Sequence, residues 1–372
     1  MRDFGVYLHV PFCLSKCPYC DFCSFPGSNG EDREHYVRAV LREIAERVFP
    51  RRTVTSVFFG GGTPSLLTVR QFDALLFALS SRYPISSDTE ITFEMNPATA
   101  DRKKLRGLRA LGFNRVSIGC QSISDDELCA LGRAHAAEEI FEAYEDALAA
   151  GFTNINLDLM YGIPRQTVGS FRETLKTVIS MVPTHISAYG LILEEGTPFF
   201  ARKDELELPD EDAEADMYAL ASSMLRAEGY RHYEISNYAR PGYECRHNLL
   251  YWRQGEYAAY GLSASSHIKG VRRTNTRDLS RYLADPAAAT EEETVIKDAD
   301  AAYEYIMLAL RLADGVDEAY YRRRFGRSFS RSYADKLAPW FRRGLLVSDG
   351  KRTALTDGGL YLCSALLREL LP

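Results

Sequence analysis

Short apolar, β-branched runs alternate along the first 200 residues with longer segments whose apolar side chains recur every three or four positions. The short runs predict strands over 5–10, 54–60, 90–95, 115–119, 154–159 and 185–193. The longer segments predict helices over 31–48, 68–82, 101–110, 124–131, 136–149 and 167–181, with flanking Gly, Pro, Ser and Asp as start and stop signals. Five or six strand–helix units of this kind make a parallel sheet covered by helices. They suit a barrel or an incomplete barrel, with a doubly wound open sheet as the alternative.

Beyond residue 200 the pattern changes. The acidic stretch 203–216 reads as the start of a solvated helix, 233–238 as a strand, and 241–260 as irregular and rich in aromatics. Residues 285–300 read as a linker, and 301–312 as a strongly amphipathic helix. From 316 to 372 the order is helix, helix, two short strands (345–348 and 353–355) and helix, which resembles a winged helix. The expected division is a barrel over 1–200 with a cluster and cofactor site, a barrel extension over 201–285, and a smaller C-terminal winged-helix-like α+β domain over 286–372.

Composition adds exclusions. The chain has 372 residues, 46% of them hydrophobic and 26% charged, as in an ordinary soluble globular protein rather than a disordered or collagen-like one. Forty-five basic against 51 acidic residues give a net charge of −6, so the whole chain is no polyanion binder. The longest uncharged stretch, 177–193, contains Pro183, Thr184 and His185 and is too short and polar to span a bilayer. The N-terminus lacks the apolar core of a secretory signal. The expected location is the cytoplasm, with peripheral membrane docking open. Between residues 322 and 352 ten Lys or Arg face only Asp335 and Asp349. This stretch reads as a solvated basic face, and no nucleic-acid partner is expected.

Four of the eight cysteines, Cys13, Cys17, Cys20 and Cys23, fall within eleven residues. In a reducing compartment such a group argues for metal or redox chemistry. The scattered Cys120, Cys129, Cys245 and Cys363 read as buried small hydrophobes. Cys13, Cys17 and Cys20, spaced CxxxCxxC directly after the first strand, can hold three irons of a [4Fe–4S] cluster and leave the fourth open. A zinc site completed by Cys23 is the alternative.

The run from Tyr7 to Cys13 (YLHVPFC), the cysteine triplet and Asp21-Phe22 resemble the radical S-adenosylmethionine (SAM) superfamily, within it the coproporphyrinogen dehydrogenase-like branch. The resemblance implies an incomplete parallel (βα)6-type radical SAM barrel. It also implies SAM chelating the open iron through its amino and carboxylate groups, with an electron from the cluster cleaving the sulfonium to a 5′-deoxyadenosyl radical. By the same resemblance Tyr7, Tyr19, Gly61, Gly62, Thr63, Glu94, Gln121, Arg133 and Asp158 would bind SAM. The residues point the same way on their own. Gly60-Gly61-Gly62-Thr63-Pro64, Glu94, Gln121 and Asp158 close successive strands, and a βα barrel gathers such ends at one mouth. Arg133 suits a carboxylate.

His247-Asn248-Leu249-Leu250-Tyr251-Trp252 carries an HNxxYW pattern similar to the heme-binding signature of HemW-type heme chaperones. The resemblance makes His247 an axial ligand of heme iron, with Tyr251 and Trp252 covering the porphyrin. Cys245 is near, but no CxxCH motif supports a thioether link. His35, His135 and His267 are expected to matter little. The implied partners are heme, heme-acceptor proteins including membrane-associated respiratory enzymes, and a reducing electron donor.

The dehydrogenase of this branch has CxxxCxxCxC; here Phe22 occupies the fourth cysteine's place and Cys23 lies one residue beyond. That enzyme also carries an N-terminal extension, whereas twelve residues precede Cys13 here. Both differences count against decarboxylation, although the radical SAM site looks intact. The expected function is a heme chaperone. The alternatives are a radical SAM enzyme acting on a porphyrin (dehydrogenase-like or methyltransferase) and a regulatory protein working through the winged helix.

Overall fold

The structure, a computed structural model, describes residues 3–371. Met1 and Arg2, the start of the segment read for a secretory signal, and Pro372, the end of the last expected helix, lie outside the described residues.

Six strands follow one another through the first half: β1 (Phe4–Val10), β2 (Ser56–Gly61), β3 (Glu90–Met95), β4 (Arg115–Gln121), β5 (Asn154–Tyr161) and β6 (His185–Gly190). Each alternates strictly. On β1, Phe4, Val6, Leu8 and Val10 are buried on one face, while Gly5, Tyr7 and His9 take the other. Val57 and Phe59, Ile91 and Phe93, Val116 and Ile118, and Leu157 and Leu159 continue the apolar face. Helices cover it: Phe72, on helix Val69–Arg82, packs its ring 5.2 Å from Phe59 and 6.1 Å from Phe93. That helix begins in a capping box, Thr68 with Gln71. The opposite face is polar, with Ser56, Thr92, Glu94, Arg115, Ser117, Asn156, Asp158, His185 and Ser187 at its period-2 positions.

All six strands pair in parallel and in chain order. An order that never reverses winds every crossover the same way, which makes a barrel wall and excludes the doubly wound alternative. A seventh parallel strand, absent from the sequence reading, pairs with β1 on its other side. It comes from Glu256–Tyr260, inside the stretch expected to be irregular. Antiparallel strands extend both edges. Arg231–Glu234 and Asn237–Ala239 flank β6, and Ser265–Ile268, Val271–Asn275 and Thr290–Val295 follow Glu256–Tyr260. The sheet does not close, so the barrel is incomplete. Thr290–Val295 lies within the expected linker and belongs to the sheet, which therefore runs past the boundary expected at 286.

The rest of the expected irregular stretch is also ordered. Arg246–Trp252 is a helix whose first N–H groups are met by the carboxylate of Glu90. His247 N donates to Oε1 and Arg246 N to Oε2, both at 3.1 Å. After helix Asp298–Ala309 the chain forms a small antiparallel sheet (Val316–Asp317, Leu346–Ser348, Arg352–Leu355) among short helices, the winged-helix-like order expected. Among the described residues no helix is long and apolar enough to cross a membrane.

Candidate cofactor site at the barrel mouth

Parallel register stacks the inward side chains in layers. Glu94 stands beside Ser117, Ser117 beside Asn156 and Asn156 beside His185; one layer up, Gly119 stands beside Asp158 and Asp158 beside Ser187. Ser117 Oγ and Asn156 Nδ2 donate to the two oxygens of Asp158 at 3.0 and 2.7 Å. Burial raises the Asp158 carboxyl, and the Ser187, Ser117 and Asn156 contacts oppose that shift. Glu94 accepts from Gly61 N at 3.1 Å. Burial, with the charge of Asp158 beside it, lifts the Glu94 carboxyl to about 8.

The cysteine loop lies across the same strand ends. Burial raises the Cys20 thiol above its ordinary value, and the neighbouring Cys17 and Cys13 push it the same way. Arg133 stands over this group. Its Nη1 reaches Cys17 Sγ at 3.6 Å and the Tyr19 hydroxyl at 3.5 Å, and its Nη2 donates to the Gly119 carbonyl at 2.8 Å. Its Nε is buried without a partner among the described residues. Cys23 is turned elsewhere, with Sγ against the Arg277 carbonyl at 3.9 Å. Of the scattered cysteines Cys120, Cys245 and Cys363 are buried as expected, whereas Cys129 is exposed, because helix Asp125–Ala130 turns Glu127 and Leu128 inward instead.

Two glycines make this packing possible. A Cβ on Gly62 would fall 2.6 Å from the Phe12 carbonyl oxygen and 3.0 Å from Cys13 Sγ, so the glycine strand end and the cysteine loop meet backbone to sulfur. A Cβ on Gly119 would stand 3.2 Å from both Arg133 Nη2 and Gln121 Nε2. Gln121 itself has φ of +70° at a register shift of β4 against β5, which turns its side chain back over Gly119. Thr63 is buried, with its N–H on the Phe12 carbonyl at 2.6 Å.

This donor set suits an iron–sulfur cluster with an amino-acid ligand. Among the described residues no three His, Cys, Asp or Glu groups converge as one metal ion requires, whereas a cluster takes each thiolate on its own iron. Crowded thiols under an arginine with an unused Nε, with the Glu94 carboxyl raised to about 8 on the neighbouring strand, supply a partner for the carboxylate and one for the amino group of an amino acid.

The structure therefore brings Cys13, Cys17, Cys20, Tyr19, Gly61, Gly62, Thr63, Glu94, Gln121, Arg133 and Asp158 to one end of the barrel. Tyr7 lies deeper and donates its hydroxyl to His9 Nδ1 at 3.1 Å, while His9 Nε2 donates to the Cys23 carbonyl at 2.8 Å. Sequence reasoning missed His9, which ties the cysteine loop to the barrel, and Arg115, fully buried in the field of Glu90 and Asp158. The signal for Arg115 was a cation at an inward strand position.

His247 is not part of this group. It lies at the other end of the barrel, buried, with Nδ1 on Ser56 Oγ and Nε2 on the Tyr251 hydroxyl, each at 2.8 Å. Its ring stacks on Phe58 at 5.1 Å. One ring nitrogen donates and the other accepts, so the imidazole as folded has no lone pair to offer an iron. Ligation by His247 requires the ring to give up its Ser56 or its Tyr251 contact. Trp252 is half-buried, with the Arg311 guanidinium 6.0 Å from its ring. The outer side of this helix borders a cavity of about 610 Å³, lined by Leu249, Leu250, Arg246 and Arg253 together with Ile296 and Tyr320.

Residues 7–178 match the radical SAM superfamily, and residues 296–362 match the HemN C-terminal domain. The chain is 32% identical to the heme chaperone HemW of Lactococcus lactis subsp. lactis, across 99% of this chain and 97% of that protein. It is 36% identical to the heme chaperone HemW of Mycobacterium tuberculosis, across 100% and 95%. Against the heme chaperone HemW of Escherichia coli the identity is 36%, across 83% of each. Among solved structures it resembles the coproporphyrinogen III oxidase HemN of Escherichia coli, described as a radical SAM enzyme. That likeness has a TM-score of 0.86 at 26% identity and covers 99% of this chain and 90% of the other.

Proposed function

The chain belongs to the HemW heme chaperone family within the radical SAM superfamily, and we propose that it binds heme and hands it to acceptor proteins, with a [4Fe–4S] cluster and SAM at the barrel mouth. The observation that carries the reading is the HNxxYW helix. It walls a cavity of about 610 Å³ in which apolar Leu249, Leu250 and Ile296 stand beside Arg246 and Arg253. That size lies within the range of cofactor pockets, and a lining that sets Arg246, Arg253 and Arg324 against Asp3 and Glu256 around these apolar side chains offers a flat dicarboxylate both apolar cover and cationic partners.

Cys13, Cys17 and Cys20 would hold the cluster, which with SAM supplies one-electron chemistry at the mouth when bound. Arg133 would meet the methionyl carboxylate; Glu94, backed by Gly61 N, would take a proton-bearing amino group. Tyr7, Tyr19, Gln121, Asp158 and the Gly62-Thr63 turn would complete the lining. Acceptor proteins and a reducing donor are the partners this reading requires, with the chain working in the cytoplasm or docked at a membrane.

The likeness to HemN favours a second reading, radical SAM chemistry on a porphyrin substrate. Phe22 separates the two readings. It stands where the dehydrogenase pattern has a cysteine and is 67% exposed on the cluster loop. Parallel binding assays with hemin and turnover assays with coproporphyrinogen III test the choice. Saturable hemin binding without turnover supports the chaperone, and turnover without hemin binding supports the enzyme.

A further inference from the structure

One histidine that the sequence treats as ordinary is better placed for iron than His247. His267 lies on strand Ser265–Ile268, next to the seventh parallel strand, and its side chain is about nine-tenths buried. Its Nδ1 stands 3.3 Å from the Gly255 carbonyl. A carbonyl only accepts, so this contact keeps the proton on Nδ1 and leaves Nε2 as the nitrogen with a lone pair. Among the described residues the hydrogen bond of this ring is made through Nδ1, and none is made through Nε2. A ring nitrogen tied to a backbone carbonyl behind a free partner nitrogen is the usual arrangement of a ligating histidine.

His267 also lies where the space is. It lines the cavity of about 610 Å³ on the outer side of the HNxxYW helix, and a second of about 170 Å³ lined by Tyr251, Tyr257 and Leu308. Tyr251 of the HNxxYW segment therefore stands across from it, while His247 turns to the barrel interior. Arg253, exposed and in no ion pair among the described residues, stands at the rim of the larger cavity, with Arg246 and Arg324 beside it. Of the two carboxylates on the same wall, Glu256 is neutralised by Arg52 and Asp3 lies exposed to solvent.

We infer that heme docks in this cleft with His267 Nε2 as the axial ligand and with Arg253 taking a propionate, the HNxxYW helix serving as the wall rather than the ligand. The inference rests on the heme-carrying reading above. Burial lowers the His267 pKa, so the ring is in its neutral, ligating form at neutral pH. The step is plain coordination: Nε2 donates its lone pair to iron and no proton is displaced.

The test is a hemin titration of the full chain, cluster-loaded, followed by Soret absorption and resonance Raman. His267→Ala should weaken binding roughly ten- to a hundred-fold and shift the Soret band, and added imidazole should restore the wild-type band. Arg253→Glu should weaken binding by a comparable factor without moving the band. His247→Ala should keep the wild-type band. A measurement on the unmutated chain guards against misfolding: hemin should protect His267 from diethylpyrocarbonate, mapped by mass spectrometry. Unchanged affinity and band in His267→Ala, or modification of His267 undiminished by hemin, overturns the assignment and leaves heme carriage standing. A wild-type chain that takes up no hemin overturns both.

Discussion

Arg133 and Cys17 touch across the barrel mouth, guanidinium to sulfur at 3.6 Å, although 116 residues separate them. The contact joins the two halves of the site, because the same guanidinium is anchored on Gly119 at the end of β4. Replacing Arg133 with Ala should lower SAM affinity by roughly ten- to a hundred-fold, the loss expected for one charge-assisted contact. The cluster should still assemble. Isothermal titration with SAM and iron analysis on the same sample separate the two effects.

Cys13, Cys17 and Cys20 should each be indispensable to the cluster. Alanine at any one of them should abolish the visible absorption of the reconstituted protein. Cys23→Ala should keep it, since that sulfur lies against the Arg277 carbonyl. Loss in Cys23→Ala, with retention in one of the other three, would reverse the assignment.

Glu94 makes the cofactor-free chain sensitive to pH. Its folded carboxyl takes up a proton near pH 8, well above the unfolded value, so the folded state binds that proton more tightly. Its contribution to stability is therefore fully present at low pH and is lost as pH rises through about 8. Glu94→Gln should remove this loss, and the cofactor-free variant should gain melting temperature relative to wild type as pH approaches 8. The N–H groups of an iron-bound amino group donate best to the ionised carboxylate, so SAM affinity in the wild type should rise with pH toward 8, and Glu94→Gln should flatten that rise. Calorimetry across the range checks both.

His247 should matter for stability. Its removal leaves Ser56 and Tyr251 without their buried partner and opens a void against Phe58, which together should cost about 2–4 kcal/mol. Chemical denaturation of the cofactor-free chain should show this as a lower midpoint, with SAM affinity unchanged.

The strands were legible because Val6, Leu8, Val57, Phe59, Ile91 and Phe93 alternate with small or polar residues, and the cluster loop because three cysteines within eight positions have few other uses. Glu256–Tyr260 was not legible as a strand. It follows a helix closely, and its pairing with β1 is a contact across some 250 residues that no local pattern encodes. Thr290–Val295 (TEEETV) hid for another reason. It lies at the sheet edge with five of its six residues exposed, and a charged edge strand reads as a linker. The HNxxYW pattern stood out in a stretch read as irregular, and neither its helix nor the inward turn of its histidine was legible, because Glu90 holds the backbone N–H groups and Ser56 the ring from distant strands.

Anaerobic reconstitution followed by parallel assays with hemin and with coproporphyrinogen III, both with SAM and a strong reductant present, tests the central claim most directly. Heme carriage predicts saturable hemin binding and no carbon dioxide release from coproporphyrinogen III. Decarboxylation of coproporphyrinogen III by a chain that binds no hemin would contradict it.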